Sequence, residues 1–128
     1  MKAVIFDVDG VLADSLGPHV DFCRDQNEKY GLGLSIPPRD QGRLIAGNPM
    51  DNFLRNAGFS EALIPKIIAE YKDTFKDRYP VRLFPDADIM LILAHYSGKR
   101  LGIASSNHLA NIKPVLGFCD MYFSGTIF

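Results

Sequence analysis

The segment Ala3-Val4-Ile5-Phe6-Asp7-Val8-Asp9-Gly10 constrains this chain more than any other. Its first four residues are a continuous apolar run with β-branched and aromatic side chains. Such a run reads as a strand of a parallel sheet, buried on both faces. It ends abruptly in an acidic turn. In open parallel sheets, ligands bind beyond the carboxyl ends of the strands. A carboxylate at the last extended position, Asp7, can point into that crevice. Asp9, two residues on, can approach the same point, and Gly10 lets the backbone turn away and leaves room for a ligand.

Residues 15–80 have a different character. Ser15 is placed to cap a helix with apolar positions Leu16, Val20, Cys23 and Tyr30, which Gly31 and Gly33 end. A short helical pattern follows and breaks at Gly47-Asn48-Pro49. Another helix is expected from about Met50 to Ala57, closed by Gly58. Ser60 is expected to cap the strongest amphipathic helix, with apolar positions Leu63, Ile64, Ile67, Ile68, Tyr71 and Phe75 and charged residues between them. The middle of the chain therefore reads as all-helical.

From Val81 the alternation of strands and helices resumes. Pro85-Asp86 opens a helix through Ile89, Ile92, Leu93 and Tyr96, closed by Gly98. Leu101-Gly102-Ile103-Ala104 is a second short strand, ending in Ser105-Ser106-Asn107. A helix from about Leu109 to Leu116 and a third strand, Met121-Tyr122-Phe123, complete the pattern. Strands alternating with helices imply an α/β fold with a parallel sheet. Two regions are expected: an α/β core made of residues 1–14 and 81–128, and a helical insert, residues 15–80.

Composition excludes some partners. Fourteen Lys and Arg stand against fifteen Asp and Glu, a net charge of −1, with no basic cluster. A nucleic-acid partner is not expected, because phosphate neutralisation needs clustered cations. No apolar run approaches the roughly 20 residues that span a bilayer, so no membrane partner is expected. The apolar stretch near the N-terminus is too short for a signal peptide. Two cysteines, Cys23 and Cys119, are too few for a disulfide framework. A reducing, cytoplasmic setting follows as the expectation.

The polar strand ends suggest a chemistry. A carboxylate beside a divalent cation can act as a nucleophile and form an acyl phosphate. A second carboxyl group can protonate a leaving alcohol and later deprotonate water. Magnesium prefers such oxygen ligands. A serine hydroxyl and the amides after it can hold phosphate oxygens. Each residue also has a plainer reading. Asp7 and Asp9 can be turn formers, Ser105 and Ser106 can cap the next helix, and His19 can be a helix-surface histidine. Arg43 and Asn48 fit a solvated helical face better than substrate contact.

VIFDVDGVLADS resembles the first motif of the haloacid dehalogenase-like (HAD) superfamily, in its phosphatase branch, and LGIASSN resembles the second. The helical segment between them resembles that family's α-helical cap, and LFPDADIMLILAHYSGKRLGIAS its return into the Rossmann-like core. Within the branch the likeness is to β-phosphoglucomutase and phosphoglycolate phosphatase. The resemblance implies a magnesium-dependent phosphatase of a small phosphorylated metabolite, acting through an aspartyl phosphate. A sugar-phosphate mutase, or a non-catalytic fragment of the fold, are the alternatives. By position, Asp7 is implied as nucleophile and Asp9 as general acid/base, both on magnesium, Asp9 through its backbone carbonyl. Ser105, Ser106, Asn107 and Gly10 are implied in phosphate binding. His19, on the first cap helix, matches a position that also carries His in the sugar phosphomutases, near the cap–core junction, and the resemblance implies a part for it in coupling cap closure to substrate. The acid at Asp9 favours phosphoryl chemistry, since dehalogenases lack one there.

The family pattern also needs a lysine after the third strand and an acidic pair after a fourth. Lys113-Pro114 precedes the third strand and does not qualify. The chain is therefore expected to be the N-terminal part of a longer phosphatase, with about three core strands and weak or no activity by itself. In the family's strand order, a fourth strand pairs with the first. Without it, Ala3 to Phe6 is expected to be an uncovered apolar edge open to self-association.

Overall fold

The computed structural model describes residues 2–105 and 109–123. Chain contacts divide it into two compact units, Met1–Asp14 with Val81–Phe128, and Ser15–Pro80.

In the first unit, β1 (Ala3–Phe6) pairs in parallel with β4 (Arg100–Ile103). The register sets Ala3 beside Arg100 and Phe6 beside Ile103. A second, two-stranded antiparallel sheet joins β2 (Ala13–Asp14) to β3 (Arg82–Leu83). Two helices, α4 (Ala87–Tyr96) and α5 (Leu109–Leu116), carry the chain into and out of β4. Val8, Leu12, Leu91, Leu101, Ile103, Ile112, Leu116, Cys119 and Phe123 form the buried core.

Two expectations fail here. The run Met121-Tyr122-Phe123 is not a strand but the end of a 3-10 helix, Gly117–Phe123. Leu116, Cys119 and Phe123 are all buried while Met121 is 70% exposed. Burial at intervals of three and four is helical, and a strand would have buried alternate residues. The parallel sheet thus has two strands among the described residues, not three. Nor is β1 covered on both faces: Val4 and Phe6 pack on the core, but Ile5 is 60% exposed.

The second unit is helical: α1 (Leu16–Tyr30), a 3-10 segment Arg39–Leu44, α2 (Met50–Ala57) and α3 (Ile64–Arg78). Gly31 and Gly58 close α1 and α2 at φ 59° and 103°, a left-handed conformation that glycine adopts without strain. Ser15 sits at the start of α1 but offers no side-chain cap; its carbonyl accepts the His19 N–H instead. Ser60 does not cap α3: the helix starts four residues later, with Leu63 at its N-cap, and the Ser60 carbonyl accepts the Leu63 and Ile64 N–H groups. Pro65 fits this first turn because its missing N–H would have no helical partner there. The buried stripe of α3 is Ile64, Ile67, Tyr71 and Phe75, as the period of the sequence requires. No helix among the described residues is long and apolar enough to cross a membrane.

Candidate active site

The site is built on the exit of β1. Alternation along an extended chain sends neighbouring side chains to opposite faces. Val8 is accordingly buried in the core, while Asp7 is exposed and Asp9 half-buried. The Val8 N–H donates to the Asp7 carboxylate (Oδ1) at 2.7 Å. This contact ties that carboxylate to its own backbone at the strand end. The Val8 carbonyl accepts from the N–H groups of Val11, Leu12 and Ala13 at 3.2, 2.9 and 2.8 Å. The loop therefore winds tightly around one buried residue, and Leu12, wholly buried, anchors its far side. Gly10 turns the chain at φ 78°, in the region where other residues are strained. Its N–H donates to the Ala13 carbonyl at 3.0 Å. That amide is spent inside the turn, and beside Gly10 there is open space: an added Cβ would meet nothing within 4 Å.

The parallel register extends one step past the strands. The Ala104 N–H donates to the Phe6 carbonyl at 2.9 Å. Asp7 and Ala104 are each one residue beyond a paired position, and Ser105, half-buried, follows directly. Two stretches almost a hundred residues apart in sequence thus end at one edge of one sheet. Asp7, Asp9, Gly10 and Ser105 are brought to that edge. Ser106 and Asn107 lie outside the described residues.

His19 lies in the other unit and has a different environment. It is 6% exposed, not on the helix surface. Its Nε2 and the Tyr71 hydroxyl share a hydrogen bond of 2.8 Å. Its ring stacks on Phe75, with centroids 4.8 Å apart and planes inclined by 15°. These contacts make it part of the aromatic core of the helical unit. The surface reading of His19 fails because residues 19, 22, 23 and 26 form a buried stripe at helical spacing. Asn48 is exposed, and its carbonyl accepts from Asn52 Nδ2 at 2.8 Å; Arg43 is exposed on the 3-10 segment.

Lys113 sits on α5, 4.0 Å from the Asp120 carboxylate. Neither cysteine is placed for nucleophilic chemistry. Burial pushes the Cys23 thiol up to about 12, against the opposing charge of Arg24. Burial, with help from Asp88, also raises Cys119. Thiols that hold their protons are poor nucleophiles.

The donor set at the strand end suits a divalent cation that prefers oxygen. Magnesium is held by carboxylate and carbonyl oxygens, with water and substrate phosphate completing its shell, and the Asp7 carboxylate and the Asp9 backbone carbonyl are two such groups. Among the described residues no group of three His, Cys, Asp or Glu side chains could hold a metal.

A sequence profile of haloacid dehalogenase-like hydrolases matches residues 4–124. The chain belongs to this family. It is 31% identical over 117 residues to the phosphoglycolate phosphatase of Synechococcus elongatus, covering 91% of this chain and 54% of that protein. It is 29% identical over 116 residues to the tyrosine-protein kinase PtkA of Mycobacterium tuberculosis, covering 90% of this chain and 39% of that one. A haloacid dehalogenase-like hydrolase from Streptococcus pneumoniae shares the fold, with a TM-score of 0.77 and 21% identity over 100% of this chain and 60% of that structure. The chain thus spans about half the length of the curated relatives it matches, or less.

Proposed function

We propose that this chain carries the nucleophile and acid/base part of a magnesium-dependent phosphatase of a small phosphate monoester, which works through an aspartyl phosphate on Asp7, with weak turnover at most by this chain alone. The observation that carries this reading is the parallel register of β1 and β4, which ends the acidic turn and Ser105 at one edge. The 31% identity to a phosphoglycolate phosphatase supports phosphate-ester chemistry at that edge.

The Asp7 carboxylate attacks phosphorus, and the bond to the leaving oxygen breaks. Asp9, as the acid, gives that oxygen its proton. As the base, Asp9 then takes a proton from water, which attacks the aspartyl phosphate. Inorganic phosphate leaves and Asp7 is restored. The Ser105 hydroxyl holds a phosphoryl oxygen, with Ser106 and Asn107 in the same phosphate-holding role. The Asp7 carboxylate and the Asp9 backbone carbonyl would hold the magnesium ion, which when bound neutralises phosphoryl charge. The helical unit Ser15–Pro80 is proposed as the cap that selects the substrate. His19 would serve it by holding its aromatic core together.

Acetyl phosphate tests this directly, because its leaving group needs no proton. With magnesium, the intact mass is expected to rise by one phosphoryl group, located on Asp7 by peptide mapping. Asp7→Asn is expected to abolish the adduct. Asp9→Asn is expected to keep it and to slow its hydrolysis by about 10²–10⁴-fold, the usual contribution of an acid–base group. An adduct that survives Asp7→Asn would overturn the assignment.

A further inference from the structure

Helix α4 is apolar on both sides. Leu91 and Ala87 are buried in the core. On the opposite face Ile89, Leu93 and Tyr96 are 52%, 66% and 76% exposed, and Met90 beside them is 44% exposed. Positions 89, 93 and 96 follow the i, i+4, i+7 rule, so they form one stripe. Single exposed apolar residues need no explanation, but a continuous stripe of large ones marks an interaction surface. A stripe at this spacing fits another helix.

The charges around the stripe indicate which helix. Asp86 and Asp88 stand at its N-terminal end, and Lys99 and Arg100 follow its C-terminal end. No ion pair is recorded for any of the four among the described residues. A copy of α4 laid antiparallel sets acidic end against basic end twice, once at each end of the seam. The same arrangement opposes the two helix dipoles favourably. A parallel copy would set like charges together. We propose that a second copy of this chain packs antiparallel on the exposed stripe of α4, forming an isologous, two-fold symmetric pair.

The seam is short. Ten residues of helix span about 15 Å, less than a standard interface of about 1,200–2,000 Å² needs. The association is therefore weak and concentration-dependent, and the flanking charges make it salt-dependent.

Sedimentation equilibrium of the whole chain from low to several hundred micromolar tests the pair. The wild type is expected to move from 14.2 kDa towards twice that mass. Leu93→Glu, at an exposed position, is expected to weaken the pair at least tenfold while leaving the far-ultraviolet circular dichroism unchanged. Lys99→Glu is expected to weaken it severalfold at low salt, and adding Asp88→Lys in the same chain is expected to restore it. This rescue decides the matter even if Leu93→Glu disturbs folding. A chain that stays monomeric throughout overturns the proposal. So does a dimer indifferent to Leu93→Glu, which would place the contact elsewhere, such as the β1 edge.

Discussion

Single residues at the β1 exit divide their work by burial. Val8 and Leu12 are inside and hold the loop, while Asp7 is exposed and Asp9 half-buried. The alternation F-D-V-D, residues 6 to 9, carries that division, because it continues the period of the strand past its apolar part. His19 is the opposite case. Its helical neighbours Phe22, Cys23 and Gln26 make the stripe that buries it, yet a polar, titratable side chain on a helix reads as a surface group. Only the packing of Phe53, Tyr71 and Phe75 around its ring gives the answer. Removing the hydroxyl that shares its hydrogen bond should therefore be felt. Tyr71→Phe is expected to cost about 1–2 kcal/mol. That corresponds to a fall of roughly 3–8 °C in thermal midpoint by calorimetry. An unchanged midpoint would show that the bond contributes nothing.

At the scale of elements, the helices were the easier part to read. Amphipathic period, glycine stops and proline entry each leave a local signature, and α2 runs from Met50 to Ala57 where the pattern puts it. The strand ends were harder. Three residues, Met121 to Phe123, are too few to separate period two from period three or four. The signal that separates them, burial of Leu116, Cys119 and Phe123, depends on the core they enter. Strands β2 and β3 have two residues each and no pattern at all.

The contact of α1 with α3 carries a pH dependence. Partial burial raises the pKa of Glu70. Hydrogen bonds from Gln26, at 2.7 Å, and Lys29, at 3.2 Å, outweigh this, and the net shift is downward. A carboxyl group with a depressed folded-state pKa stabilises the fold above its unfolded pKa. It loses that contribution as pH falls through the folded value. Glu70→Gln is thus expected to lower the urea midpoint at neutral pH. The gap to wild type should close as pH drops below about 4.5, the ordinary value for this group. A gap independent of pH would assign the effect to packing.

For the whole molecule, the sequence shows two characters, and the structure has two compact units with the change at residues 14–15 and 80–81. The α/β unit is discontinuous in the chain, and only the pairing of β1 with β4 rejoins it. This pairing is also what gathers the candidate site. Which of the two readings of D-V-D-G holds, turn or catalytic pair, depends on whether those carboxylates act together on a ligand. Magnesium titration by calorimetry, on the wild type and on Asp7→Asn, measures that most directly. The account predicts that removing the Asp7 charge weakens magnesium binding at least tenfold. An affinity unchanged by the substitution would contradict it.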